Sequence, residues 1–404
     1  MPPESDIDGM VKYFWGRVSG EVGFANEEEW DRWSEEITPH FENPTIDASV
    51  ALAEFVQWFD PEPLMELLEG RYEDFERVKK RLPERLRFFA YFVLSSEVYL
   101  SKAYRRLGEA DFQALGFKKR PNYEMLREFI YERIERKRFK AFFDRMVKEL
   151  RAHLQVAGIP FGLRISQDAT DMPSLKHDPE ANYNDYYKEY GYKADVTIDL
   201  DHETLPLDYC FTGINESEER NLIPTLKNLA TRGIHPKEHK VDGGYPSFKN
   251  IAYSESHSTH LIYCVQNGWV EKPEINEATV KKRYQRYHMR SDFRVVASLE
   301  FMLLYLQKRG EHELVGNFYR NATMSLEGDL LKSHQDSYKE RSVKMEGFYG
   351  TAKCHTTLGR RPPRRGKDAM RFILDLSMLA FVFAAVIRVQ NGVFTGLGNL
   401  GHFG

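Results

Sequence analysis

Residues 192–200 read YKADVTIDL, an alternation of apolar and polar side chains that marks a strand with one buried face. Working outward, the periodicity changes at Gly158: short apolar segments replace helical spacing. Upstream lies Phe161 to Ser166, leading into Asp168 in RISQDATD; downstream lies Leu205 to Thr212. A helix is expected over Glu218 to Thr231, a strand at His239 to Asp242, a helix at Ser247 to Glu255 and a strand at His260 to Val265. The order is three strands, helix, strand, helix, strand. Strands joined by hairpins form an antiparallel meander, and helix-linked strands add parallel neighbours. The expected class is α/β with a mixed sheet.

On the N-terminal side, residues 47–155 carry helical spacing and read as an all-helical domain. Asp47 can cap the run that follows it, Pro63 opens LMELLEG, and Leu82 to Tyr104 forms a long apolar-rich run. Pro121 starts another, in which Leu126, Phe129, Ile130, Ile134, Phe142, Met146 and Leu150 recur at helical intervals. On the C-terminal side, residues 267–337 read as a mainly helical insertion. Two helices then close the chain, Arg341 to Thr356 and Lys367 to Val389, so that 156–266 and 338–392 form one core. Residues 1–46 are an acidic leader and 393–404 a Gly-rich, flexible tail.

The 404 residues carry 57 Lys and Arg against 61 Asp and Glu, a net charge of −4. That near-balance hides an asymmetry, since residues 1–76 hold 20 acidic and only 4 basic side chains. Basic excess gathers at Arg77 to Arg87 (net +5) and Lys339 to Arg371 (net +7). Such runs are commonly solvated surface; two of them, one beside a candidate catalytic glutamate, point to a polyanion. Cys210, Cys264 and Cys354 are scattered and contain no C-x-x-C, which excludes a disulfide scaffold and a cysteine zinc site and suits a cytoplasmic protein. The apolar run Phe372 to Ile387 is 16 residues long, includes Asp375, and reads as a core helix rather than a membrane span.

Three carboxylates lie where such a fold can gather them. Asp168 follows the first strand, Asp242 ends the fourth in KVDGGYPS, and Glu346 sits on the penultimate helix. Asp171 competes for the first position but precedes Met172-Pro173 and reads as a loop residue; Asp199 and Asp201 read as turn or edge residues. Bare acids about 4 Å apart would repel by roughly 4 kcal/mol at an effective dielectric of 20. Divalent cations remove that cost, and hard oxygen donors select Mg²⁺ or Mn²⁺ over zinc. Two such ions suit phosphodiester chemistry. Lys353 lies two turns beyond Glu346 on the same helix face, with Arg341 and Tyr338 upstream. The loop GRRPPRRGK then carries Arg360, Arg361, Arg364, Arg365 and Lys367, a Pro-stiffened clamp for a phosphate backbone.

With these residues in view, the strand order fits a ribonuclease-H-like core, and the sequence resembles the DDE transposases of bacterial and archaeal insertion sequences. Asp168-Ala-Thr170 matches that family's D-x-T, and Asp242-Gly-Gly-Tyr245 its D-x-G-Y. Tyr338, Arg341, Glu346 and Lys353 match its Tyr-Arg-Glu-Lys signature, although four residues separate Arg341 from Glu346 where one large branch has three. The resemblance covers roughly residues 158–390. It implies a DNA transposase in which Asp168, Asp242 and Glu346 hold two Mg²⁺ ions, with Tyr338, Arg341 and Lys353 positioning DNA. The helical N-terminal domain would recognise terminal inverted repeats, and a homodimer would act on paired ends. A plain metal-dependent nuclease of the same fold, or an inactive transposase-derived DNA-binding protein, are the rival readings. Two further patterns are coincidental. HPKEH (235–239) has Pro236 where a zinc-binding helix would be needed, and GLGNLG (396–401) has no helix to follow it.

Overall fold

The structure is a computed structural model that describes residues 51–263 and 330–400, apart from 176, 186, 187, 203, 361, 363 and 364; for 248, 251, 252, 255 and 330–338 the backbone alone is described. The leader and most of the expected insertion lie outside the described residues. In chain order come α1 (Leu52–Gln57), α2 (Glu62–Met65), α3 (Phe75–Lys79), α4 (Leu82–Leu94), α5 (Leu100–Arg106), α6 (Glu109–Ala114), α7 (Tyr123–Glu128) and α8 (Phe139–Val156). Then follow β1 (Arg164–Pro173), β2 (Asn182–Asn184), β3 (Glu189–Asp199), β4 (Leu205–Gly213), α9 (Leu222–Thr231), β5 (Glu238–Val241), α10 (Phe248–Ser256) and β6 (His260–Ile262). Two long helices finish the chain, α11 (Leu330–His355) and α12 (Lys367–Gln390).

The chain forms two compact units. The helical unit takes the residues up to 161 together with 351–364 and 371 onward. Its centre is aromatic: the Phe89 ring lies 5.8 Å from both Phe142 and Phe383, and Phe59 lies 5.3 Å from Phe383. Most of α12 therefore belongs with the N-terminal helices, whereas the sequence reading assigned it to the α/β core. Among the described residues α12 alone is long and apolar enough to cross a membrane, and 94% of its most apolar window is buried inside the protein. At 24 residues it exceeds the 16-residue run seen in the sequence because polar ends extend the same helix. Two expected long helices are broken. Ser96 (φ 55°) separates α4 from α5, and Glu135 (φ 63°) interrupts the run from Tyr123 to Val156, its carboxylate held by Arg71. The tail is docked through residue 400: Val393, Leu397 and Leu400 are buried, since their apolar side chains find cover that glycine spacing alone does not reveal.

The second unit, residues 162–350 with 365–370, is built on a six-stranded mixed sheet. β3 pairs antiparallel with β1 on one side and with β4 and β2 on the other. β5 lies parallel to β1, and β6 parallel to β5. A helical connection is what allows the chain to return and run parallel, and α9 and α10 supply it. Two features depart from the sequence reading. β1 continues to Pro173, so Asp168 is mid-strand and Asp171 is a strand residue opposite Lys193, because β3 pairs onward as far as Gly191. And β3 is covered on both faces: Asp195, Thr197 and Asp199, its polar alternates, are all buried.

Candidate active site

The parallel register of β1 and β5 ends at Gln167 opposite Val241. The next residues on the two strands are Asp168 and Asp242, which therefore emerge side by side. Beyond Asp242 the chain turns at once, with Tyr245 N–H donating to the Asp242 carbonyl at 3.1 Å. The small Gly244 lets Glu218 approach, since a Cβ there would stand 2.8 Å from Glu218 Oε2.

Arg341 joins the two aspartates. It projects from α11 with its guanidinium buried, one nitrogen 2.9 Å from Asp168 Oδ2 and another 3.4 Å from Asp242 Oδ1. Two turns along the same helix face, Tyr349 donates its hydroxyl to the Asp168 carbonyl at 2.6 Å, and lies 3.4 Å from the Ala194 carbonyl. Met345, Phe348 and Ala352 complete the buried face. The first half of α11 is fastened to the sheet by Glu340, which pairs with Arg164 at 2.6 Å and with the buried Lys240. Burial opposes ionisation of Glu340, but Lys240 and Arg164 outweigh it and hold its carboxyl below the usual range.

The site is an anionic centre only partly compensated. Burial pushes the Asp168 carboxyl up to about 6; Arg341 and the Ala169 N–H pull it down, while Asp242 and Glu218 push it up. Beneath it lies a polar layer between the sheet and α9. Asp195 is fully buried and accepts from Gln167 Nε2 and Asn221 Nδ2, both at 2.8 Å. Burial drives its carboxyl up to about 7 despite these neutral donors. Tyr245 is fully buried, and its hydroxyl feels the charges of Asp195, Glu218 and Asp168.

The structure thus brings Asp168 and Asp242 together and adds Arg341. Glu346 lies five residues after Arg341, exposed on the flank of α11 rather than on its buried face. Among the described residues, no three His, Cys, Asp or Glu side chains stand close enough together to hold a metal ion. The donors present nonetheless fit a divalent cation: two hard carboxylates converge, and one guanidinium leaves Asp168 with a raised pKa. Asp168 and Asp242 would hold it, and bound there it would polarise a phosphoryl oxygen and acidify a water.

The remaining expected residues divide. Arg341, expected to face DNA, is instead buried against the aspartates. Lys353, Arg360, Arg365 and Lys367 are exposed. The Tyr338 side chain and residues Arg361 and Arg364 lie outside the described residues. Asp199 is buried and accepts from Gly162 N–H at 2.8 Å, a structural role, and His239 is buried in β5, both ring nitrogens without a hydrogen-bond partner among the described residues and its pKa lowered by burial to about 3. Glu218, Asp195 and Tyr349 were not legible as site residues. Glu218 sits in an acidic turn, ESEER, with nothing to distinguish it from solvated surface. No protein-family model matches the chain, and no curated protein matches it in sequence.

Proposed function

We propose that this chain is a metal-dependent DNA transposase of the DDE type, with a ribonuclease-H-like core in its sheet unit. The observation that carries the reading is the convergence of Asp168 and Asp242 at neighbouring positions of parallel strands, within reach of one guanidinium. The strand order supports it, with an antiparallel β3 beside β1 and parallel β5 and β6 on the other side. So does the basic stretch that ends at Lys367, whose exposed cations suit a phosphate backbone. Mg²⁺ or Mn²⁺ is the proposed cofactor, double-stranded DNA the partner, a homodimer the working form and the cytoplasm the compartment.

The chemistry is hydrolysis followed by transesterification. Water bonds to the scissile phosphorus as the element's 3′ oxygen leaves; that 3′-hydroxyl then bonds to a target phosphorus and displaces a target 3′ oxygen. In this reading Asp168 and Asp242 are the first two ligands and Glu346 the third. Arg341 keeps the two aspartates together, and Tyr349 fixes the β1 backbone beneath them. The test incubates the full chain with Mg²⁺, DNA bearing the ends of its own element and a target duplex. Cut 3′ ends covalently joined to target are expected from the wild type and absent from Asp242→Asn. Cleavage without joining favours the plain nuclease. Equal activity in wild type and variant refutes the assignment of Asp242.

A further inference from the structure

β2 and β3 form a short hairpin that the aspartate site does not use. Tyr183 and Tyr190 are directly opposed in its register, ring centroids 4.9 Å apart and planes at 51°. A cross-strand aromatic pair stabilises a hairpin, which accounts for the rings meeting each other. It does not account for their outer faces. Among the described residues only a handful of large apolar or aromatic side chains are exposed, and these two, at 39% and 59%, are adjacent.

Residues 366 and 367 are anchored just ahead of this hairpin. Asp178, just before β2, accepts from the Tyr192 hydroxyl at 3.2 Å and from Gly366 N–H at 3.0 Å. Glu180 accepts from Lys367 N–H at 2.6 Å. These carboxylates are spent on backbone groups at the start of α12. Gly366 has φ 103°, and a Cβ on it would stand 2.8 Å from Glu180 Oε2, so the seat requires glycine. The side chains of Arg365 and Lys367 are left exposed, with no ion-pair partner among the described residues. From Glu180 to Tyr183 is three residues, at most about 11 Å of chain. The carboxylates that seat the backbone of 366 and 367 thus lie a few residues from the exposed ring pair, with Arg365 and Lys367 on the other side of that seat.

We propose that this hairpin is a stacking platform for single-stranded DNA, Tyr183 and Tyr190 receiving an unpaired base while Arg365 and Lys367 hold the adjoining phosphates. Every base has a π-face, so the platform is tolerant of sequence, and cations beside it supply the salt-dependent part of binding. The proposal rests on the DNA reading above only in taking DNA as the polyanion. It assigns that DNA's unpaired strand to a surface away from the carboxylates.

The experiment uses the full chain in EDTA, where no strand can be cut, and a single-stranded oligonucleotide with a central 2-aminopurine. Wild type is expected to bind with a change in 2-aminopurine fluorescence. Tyr183→Ser with Tyr190→Ser should weaken binding roughly 5- to 100-fold, whereas the double Phe variant keeps both binding and signal. Arg365→Gln with Lys367→Gln should lower the slope of log affinity against log salt by roughly 1.4. Undiminished binding by the double Ser variant overturns the platform, as does wild-type binding without a fluorescence change, a readout independent of whether any variant folds. End cleavage with no single-strand binding sinks the platform and spares the transposase reading; binding with no cleavage does the reverse.

Discussion

Asp195 offers the sharpest physical test of the sheet unit. Its carboxyl is 1% exposed and faces only neutral donors, the Gln167 and Asn221 amides and the Tyr245 phenol. Burial raises its pKa from an ordinary 3.8 to about 7. The folded state therefore keeps a proton that the unfolded chain gives up near pH 4. Stability from this group is fully present below the unfolded value, falls as pH rises toward the folded value, and levels off above it. About three units at roughly 1.4 kcal/mol each make a loss of about 4 kcal/mol between pH 4 and pH 8. Asp195→Asn keeps the shape and removes the titration. The assay is urea unfolding of both proteins across that range, read as the difference between the two profiles, in which every other titrating group cancels. The wild type should lose about 3–4 kcal/mol relative to the variant on going from pH 4 to pH 8. Parallel profiles would refute the reasoning, since they would mean that Asp195 is either solvated or ionised against a cation.

Arg341→Met should lower stability at neutral pH by roughly 2–3 kcal/mol, below the full cost of breaking a buried pair because Asp168 and Asp242 are partly exposed. Added Mg²⁺ should raise the melting temperature of that variant more than that of the wild type. Equal shifts would mean that the aspartates and the guanidinium do not share one cation site. Phe89→Ala should cost about 3–5 kcal/mol in the helical unit, because three aromatic neighbours surround a ring with no exposure; a loss under 1 kcal/mol in chemical denaturation would contradict that packing. Gly191→Ala should cost roughly 1–3 kcal/mol, since its Cβ would stand 2.6 Å from the Met172 carbonyl across the β1–β3 ladder. An unchanged unfolding midpoint would show that β3 does not approach β1 that closely.

Hydrophobic period is a local property, and most elements followed from it. The strands at 205–213 and 238–241, the helices at 222–231 and 367–390, and the sites where Pro63 and Pro121 open helical segments all lie close to where residue spacing puts them. The breaks at Ser96 and Glu135 did not show, because a left-handed residue interrupts a helix without disturbing the apolar count on either side. Nor did the β2–β3 hairpin, whose tyrosines pair across strands rather than along one.

What the chain order alone determined is the mixed α/β character of residues 162–263; it also singled out Asp168 and Asp242 as acids that such a fold can gather. What only the tertiary structure decided is who their neighbours are. Parallel pairing of β1 with β5 joins residues 74 apart, and the turn of α11 presents Arg341 and Tyr349 to them while leaving Glu346 on its flank. Alternation announces which side of a strand a residue faces, but not whether a helix will cover that side. For this reason Asp195, which looks solvated in YKADVTIDL, became a buried acid beneath the site. Burial and charge compensation depend on distances through space, and those are set by packing between segments far apart in the chain.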